Sequence, residues 1–233
     1  MPVLPGEGLG RRPLHFIWLA DCSGSMAIDG KIQALNEAIK EIIPHMQTVA
    51  GENPNAEILV RAIKFSDGAQ WHIATPVPVE TFKWPLLSAD GVTDMGKALS
   101  MVADQLKSPP MPDRMLPPVL VLITDGQPTD DFSSGLKDLL NQRWGQKAVR
   151  IAIAIGDDAD LECLQKFIGH TELSPLKAKN AEELVRYIKW ASTAVLKAAS
   201  SPASQPKGTP VPAGNIPIPT PPAPGPGGAT DVW

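Results

Sequence analysis

Leu14-His-Phe-Ile-Trp-Leu-Ala20 runs directly into Asp21-Cys-Ser-Gly-Ser-Met26, and this junction specifies the architecture. Its first half is a continuous apolar run of strand length with no polar alternation. Such a run predicts a strand covered on both faces, as parallel sheets are. Its second half stops the strand with a carboxylate and two hydroxyls set around a glycine, and glycine lets the backbone turn tightly. A buried strand that ends in an oxygen-rich turn suits a doubly wound sheet, where ligands bind outside the carboxyl ends of the strands.

Beyond this turn, Ile32, Leu35, Ile39, Ile42, Met46 and Val49 recur at helical spacing and predict one long helix. Pro44 removes a backbone donor, so a kink or the end of the regular helix is expected there. Residues 56–65 read as a second strand, and Asp67-Gly68 signals a tight hairpin. Residues 69–74 should therefore return antiparallel, at a sheet edge because Pro76 and Pro78 follow. A loop with Trp84 and Pro85 leads to Gly91-Val-Thr93-Asp-Met-Gly96 and a helix with Met95, Leu99, Val102 and Leu106 on one face.

Val119-Leu-Val-Leu-Ile123 is another buried run, ending in Thr124-Asp125-Gly126. A weaker helix over 133–144, a strand at 149–155 and a short helix over 161–168 follow, then a marginal strand near Leu176. Asn180 with Glu183 predicts an N-cap and capping-box partner for a last helix striped by Leu184, Ile188, Ala191 and Val195. Alternating strands and helices imply right-handed βαβ units. The expected architecture is α/β: a doubly wound, mostly parallel six-stranded sheet with one antiparallel edge strand and helices on both faces. The chain divides into an N-terminal arm (1–12), one domain (13–199) and a tail (200–233). The tail is rich in Pro, Ala and Gly, lacks apolar periodicity, and is expected to be disordered or polyproline II.

Composition excludes several function classes. A net charge of −4, with scattered Lys and Arg and a single pair at Arg11-Arg12, argues against a nucleic-acid grip, which needs a clustered basic stripe. Cys22 and Cys163 have no partner spacing for zinc and are too few for a disulfide scaffold, which fits a reducing cytosol. No stretch approaches the roughly 20 apolar residues of a membrane span. The start lacks the pattern of a signal peptide. A cytoplasmic protein with no membrane contact is expected.

Three loops offer oxygens at the expected carboxyl edge: Asp21, Ser23 and Ser25 in the first, Thr93 with Asp94 beside it in the second, and Asp125 in the third. Hydroxyls and carboxylates without nitrogen or sulfur suit a hard cation. Mg²⁺ wants octahedral oxygen coordination and commonly keeps several waters, with Mn²⁺ or Ca²⁺ as alternatives. The bland readings are an Asp-rich turn capping the next helix for 21–25 and a strand-terminating turn for Asp125-Gly126. Asp130, Asp131, Asp157 and Asp158 read as helix caps, His15 as structural or exposed, Cys22 as a buried thiol, and Trp71, Trp84 and Trp144 as core or rim.

Asp21-x-Ser23-x-Ser25, then Thr93, then Asp125-Gly resembles the metal-ion-dependent adhesion site of von Willebrand factor A (vWA) domains, over residues 13–199. The stretch Gly91 to Leu99 is similar to bacterial TerY-type members of tellurium-resistance and stress-response clusters; Val92 stands where many of these carry glycine. The resemblance implies metal contacts from Ser23, Ser25 and Thr93, with Asp21 and Asp125 acting through bound waters. It implies a non-enzymatic interaction module in which an acidic group of a partner protein completes the shell, a PP2C-type phosphatase or Ser/Thr kinase being candidates. The competing reading is a Mg²⁺-dependent phosphohydrolase or phosphotransferase with Asp21 as nucleophile. Against it, the acid/base position two residues later is Ser23, and no Walker, HExxH or GxSxG motif occurs. A third reading places the interaction in the Pro-rich tail ending at Trp233.

Overall fold

The computed structural model describes residues 11–200, 217–223 and 233. Six strands form one sheet: β1 (Arg12–Asp21), β2 (Ala56–Ser66), β3 (Gly68–Pro78), β4 (Val119–Thr124), β5 (Val149–Ile155) and β6 (Leu176–Ala178). Their spatial order is β3-β2-β1-β4-β5-β6, and every pairing is parallel except β2 with β3. The apolar runs explain the centre of this sheet. From Leu14 to Asp21 every residue of β1 is buried, and all of β4 is buried. Successive side chains of a strand point to opposite faces, so burial of all of them requires helices on both sides.

Those helices are α1 (Lys31–Gly51), α2 (Met95–Gln105), α3 (Phe132–Leu140), α4 (Arg143–Lys147), α5 (Leu161–Ile168), α6 (Ala181–Trp190) and α7 (Leu196–Ser200). A π-helical turn, Ala191–Val195, joins the last two. α1 packs on α6 and α2 on α3. The α2–α3 contact has no room for a side chain: a Cβ on Gly96 would meet the Asp131 carbonyl, and one on Gly135 would meet the Gly96 carbonyl. The two glycines thus fix how closely α2, which begins just after Thr93, approaches α3.

Several local expectations change. α1 runs through Pro44 to Gly51 instead of stopping. Pro44 and Lys40 face solvent, so the carbonyl that loses its helical donor can meet water, while buried Ile42, Ile43 and Met46 hold the helix down on either side. The weak helix over 133–144 is two short helices, broken at Asn141-Gln142. β3 continues to Pro78, which its edge position permits because a proline there withholds its missing donor from no second neighbour. Glu183 reaches back to the Lys179 N–H, one residue before the Asn180 cap.

Residues 1–10, the bulk of the expected arm, lie outside the described residues, as do 201–216 and 224–232 of the expected tail. Within that tail, Ile218 packs against the core and the Ala223 carbonyl accepts from Arg186 at 3.0 Å. Among the described residues no helix is long and apolar enough to cross a membrane. Cys22 and Cys163 are free thiols. Cys22 is buried, and burial pushes its thiol up to about 12.

Candidate metal centre

The sequence of strands reverses between β1 and β4: the chain moves from β1 outward to β2 and β3, then returns to add β4 on the other side. Their carboxyl ends open a crevice there, and Asp21 and Asp125 stand at its two walls. Asp21, the last residue of β1, is fully buried; one carboxylate oxygen accepts from the Ser23 N–H at 2.7 Å and the other from the Thr124 hydroxyl at 2.5 Å. Burial raises the Asp21 pKa, the Thr124 and Ser23 hydrogen bonds pull against that, and nearby Asp125 adds to the rise. Asp125 Oδ1 accepts from the Ser25 hydroxyl at 2.7 Å, and the Ser23 and Ser25 hydroxyl oxygens lie 3.0 Å apart.

The second loop is lashed to the first and third by its backbone. Gly24 N–H donates to the Gly91 carbonyl at 2.9 Å and Asp90 N–H to the Cys22 carbonyl at 2.8 Å. Upstream, the buried Asn36 amide of α1 ties down this loop: its oxygen accepts from Trp84 Nε1 and Leu87 N–H, and its nitrogen donates to the Leu87 carbonyl, each at 2.9 Å. Gly91, with φ of 86°, sits against the Asp67 carboxylate where a Cβ would lie 2.7 Å away. Thr93 N–H donates to the Thr129 hydroxyl at 3.0 Å, and Thr129 N–H returns a bond to the Thr93 carbonyl at 2.9 Å. Asp130 accepts from the N–H groups of Gly96 and Lys97, both at 2.8 Å, and so caps α2 from a neighbouring loop. The Thr93 hydroxyl thereby comes to Gly126, where an added Cβ would lie 3.5 Å from Thr93 Oγ1 and 4.0 Å from Ser25 Oγ.

Asp21, Ser23, Ser25, Thr93 and Asp125 are therefore brought to one rim. Asp94 is not pointed there. Its carboxylate accepts from the Gly68 N–H at 2.8 Å and from Lys97 at 2.5 Å, and the Lys97 contact holds its pKa below the ordinary carboxylate value. Asp131 caps α3 as expected, but α5 is capped by Asp160 and not by Asp157 or Asp158. Two site residues carry no distinctive local signal. Thr124 reads as a turn residue, yet its hydroxyl holds Asp21. Lys31, the first residue of α1, donates to Asp125 Oδ2 at 2.8 Å while buried, and its only sequence clue is a lysine opening an apolar helix.

As ligand atoms this rim offers hydroxyl and carboxylate oxygens, the donor set of a hard cation, with the Lys31 ammonium beside them. Among the described residues no group of three or more His, Cys, Asp or Glu side chains gathers to hold a metal. A centre here depends on hydroxyls. The geometry gives little to nucleophilic chemistry by Asp21, whose carboxylate is wholly buried and bonded at both oxygens.

The fold and this crevice define a doubly wound α/β domain with its site at the topological switch point. The chain belongs to the von Willebrand factor type A domain family, which matches residues 17–186. Among solved structures it is similar to a von Willebrand factor type A protein from Catenulispora acidiphila (18% identity, TM-score 0.61, covering 79% of this chain and 42% of that one). It is also similar to the ArnB paralog VWA2 from Sulfolobus acidocaldarius (16% identity, TM-score 0.57, 76% and 44% covered). A third is proximal thread matrix protein 1 from the mussel byssus, solved with a zinc-occupied MIDAS motif (18% identity, TM-score 0.59, 78% and 48% covered). The chain spans less than half the length of each of these structures. No curated protein matches it.

Proposed function

We propose that this domain is a non-enzymatic interaction module that holds one divalent cation, Mg²⁺ with Mn²⁺ or Ca²⁺ as alternatives, and captures an acidic group of a partner protein. The observation that carries the reading is the convergence of the Ser23, Ser25 and Thr93 hydroxyls beside Asp125 at the switch point. In this reading the three hydroxyls contact the ion directly, while Asp21 and Asp125 act through waters. A bound divalent ion would supply an electrophilic point for a carboxylate, because neutral hydroxyls leave much of its charge unquenched. The chain's own residues do the rest: Asp21 fixes the Ser23 backbone, Thr124 fixes Asp21, and Thr129 and Asp130 fix the segment that carries Thr93. The finer reading is a cytoplasmic TerY-type member of a stress-response assembly, with a PP2C-type phosphatase or a Ser/Thr kinase as partner.

Titration of the EDTA-stripped full chain with Mg²⁺ should show one site, lost in Ser23→Ala and Thr93→Ala variants that retain their circular dichroism. A pull-down from native lysate should capture a partner in Mg²⁺ and release it in EDTA. Capture unchanged by EDTA would overturn the reading.

A further inference from the structure

Lys31 stands where a lysine is doubly disfavoured. It is the first residue of α1, where the helix dipole repels cations, and it is only 7% exposed. A buried ammonium is tolerated only when it is closely paired. Its partner is Asp125, at 2.8 Å, on a carboxylate side chain with no exposure at all. The approach is shaped by the backbone: Asp29 and Gly30 both take left-handed conformations, with φ of 53° and 71°. For Asp29 that conformation is uncommon. The pair turns the chain out of the Ser25 loop so that α1 starts with Lys31 directed at the rim. Trp233 Nε1 donates to the Asp29 carbonyl at 3.1 Å, which steadies this turn from the far end of the chain.

We infer that Lys31 is the resident cation of the candidate metal centre and sets how tightly that centre holds a divalent ion. The inference rests on the metal-binding reading above. Without an added ion, the ammonium balances Asp125 and keeps two neighbouring buried carboxylates, Asp21 and Asp125, from facing each other uncompensated. With an ion present, Lys31 cancels one of those two charges and lies near the incoming cation as a like charge. Affinity is lowered on both counts, and the ion keeps more of its charge for an outside carboxylate.

The test uses the EDTA-stripped full chain, with Mg²⁺ as the probe, in calorimetric titration and in thermal unfolding with and without Mg²⁺. Lys31→Met should bind Mg²⁺ about tenfold or more tightly than the parent, since one nearby like charge is gone from a partly desolvated site. Its metal-free form should melt lower than the parent's, and Mg²⁺ should raise its Tm by more. Lys31→Arg keeps the charge and should stay within about threefold of the parent affinity. Lys31→Gln keeps a neutral donor for Asp125, should shift affinity as Lys31→Met does, and serves if the Met variant fails to fold. A parent that binds Mg²⁺ beside Met and Gln variants of equal or weaker affinity would overturn the inference and leave the metal reading intact. Absence of binding in every variant would remove both. Binding by the Met or Gln variant alone would support the inference while overturning the reading of the parent chain as a module that holds the ion.

Discussion

Two polar clusters are buried around β1, one between its first half and β2 and one at its carboxyl end, and they are built on opposite terms. At the end, each oxygen of Asp21 and Asp125 accepts a hydrogen bond, and the buried Lys31 ammonium meets a carboxylate. Near the start, His15 and Arg61 are both buried, and His15 Nδ1 together with Arg61 Nε and Nη1 find no hydrogen-bond partner among the described residues. Arg61 gives one bond to the Ala74 carbonyl and lies over the Trp71 ring, 3.7 Å from its centroid. The difference follows from position. Strand ends are met by loops, which can present side-chain and backbone partners in any direction. Within the sheet most backbone groups are committed to the ladder, so a polar side chain there finds few partners: Arg61 has one carbonyl, Ala74, beside the register shift between β2 and β3, and otherwise stacks on Trp71.

The electrostatics record that difference. Burial, aided by the Arg61 charge, pushes the His15 pKa down to about 4, and burial pushes Arg61 down to about 10. The rim cluster should be costly to break and the inner cluster costly to charge.

The largest effect is expected from Asp125→Ala. It strands the Lys31 ammonium in a buried site and leaves the Ser25 hydroxyl without its acceptor. Removing one member of a buried pair costs about 3–5 kcal/mol. Urea unfolding in EDTA should show a loss of that size, and a loss below about 1 kcal/mol would mean that the rim charges are not coupled as their geometry indicates.

Acid should attack the inner cluster. The unfolded chain takes up a proton at His15 near its ordinary value of 6.5, whereas the folded chain resists protonation until about 4. Between those values the unfolded state holds more protons, so stability falls as pH drops through that window and levels off below it. The shift corresponds to at most about 3 kcal/mol. His15→Phe should flatten this part of the stability profile, with urea midpoints at pH 7 and pH 4.5 as the readout. A variant whose acid slope matches the parent's would place the proton uptake elsewhere.

Arg61→Leu provides the control for the first prediction. It too removes a buried charge, but Arg61 has no buried counter-ion among the described residues, so no charge is stranded behind it. Replacing a poorly compensated buried charge by an apolar side chain is often neutral or stabilising, so the change should stay within about 1 kcal/mol of zero, with the lost Trp71 stacking offset by relieved desolvation. A loss as large as that for Asp125→Ala would erase the distinction between the two clusters.

Legibility in the sequence follows the same division. The central strands are readable because an uninterrupted apolar run of that length suits little except a strand covered on both faces. Asp67-Gly68 marks the hairpin because few dipeptides fit so tight a turn. Asp21, Ser23 and Ser25 are readable as a group because they are close in sequence. Asp125 is readable because it follows the apolar run 119–123 and Thr93 because its loop precedes a striped helix, and the family resemblance joins both to the group. Lys31 and Thr124 do not, since their partners lie 94 and 103 residues away and neither leaves a local pattern. Asn36 is hidden for a similar reason: an amide between Leu35 and Ile39 breaks the apolar face without saying that Trp84 and Leu87 wait opposite. The cap of α5 is hidden among several carboxylates in a row; Asp160, not Asp157 or Asp158, reaches the N–H groups of Glu162 and Cys163.

The smallest effect concerns how firmly the rim is held, and it comes from the other end of the chain. Trp233 packs beside Gly156 at the end of β5, with its Cβ 3.6 Å from where a Gly156 Cβ would lie. Its backbone N–H donates to the Lys179 carbonyl at 3.2 Å, and its indole N–H to Asp29. Of these contacts only the indole bond reaches the turn between Ser25 and Lys31, and none is made to Lys31 or Asp125 themselves. Trp233→Ala should therefore lower global stability by about 1 kcal/mol or less, the worth of one hydrogen bond and partial burial. The informative readout is local: amide hydrogen exchange over residues 24–31 should quicken, while exchange in β1 and β4 stays as in the parent, because loops open without unfolding the sheet. If exchange in 24–31 does not change, the turn that presents Lys31 is held by Asp29 and Gly30 alone. If β4 quickens too, the rim and the central sheet open as one unit, and the separation of loop-held from sheet-held polar groups is weaker than the two clusters suggest.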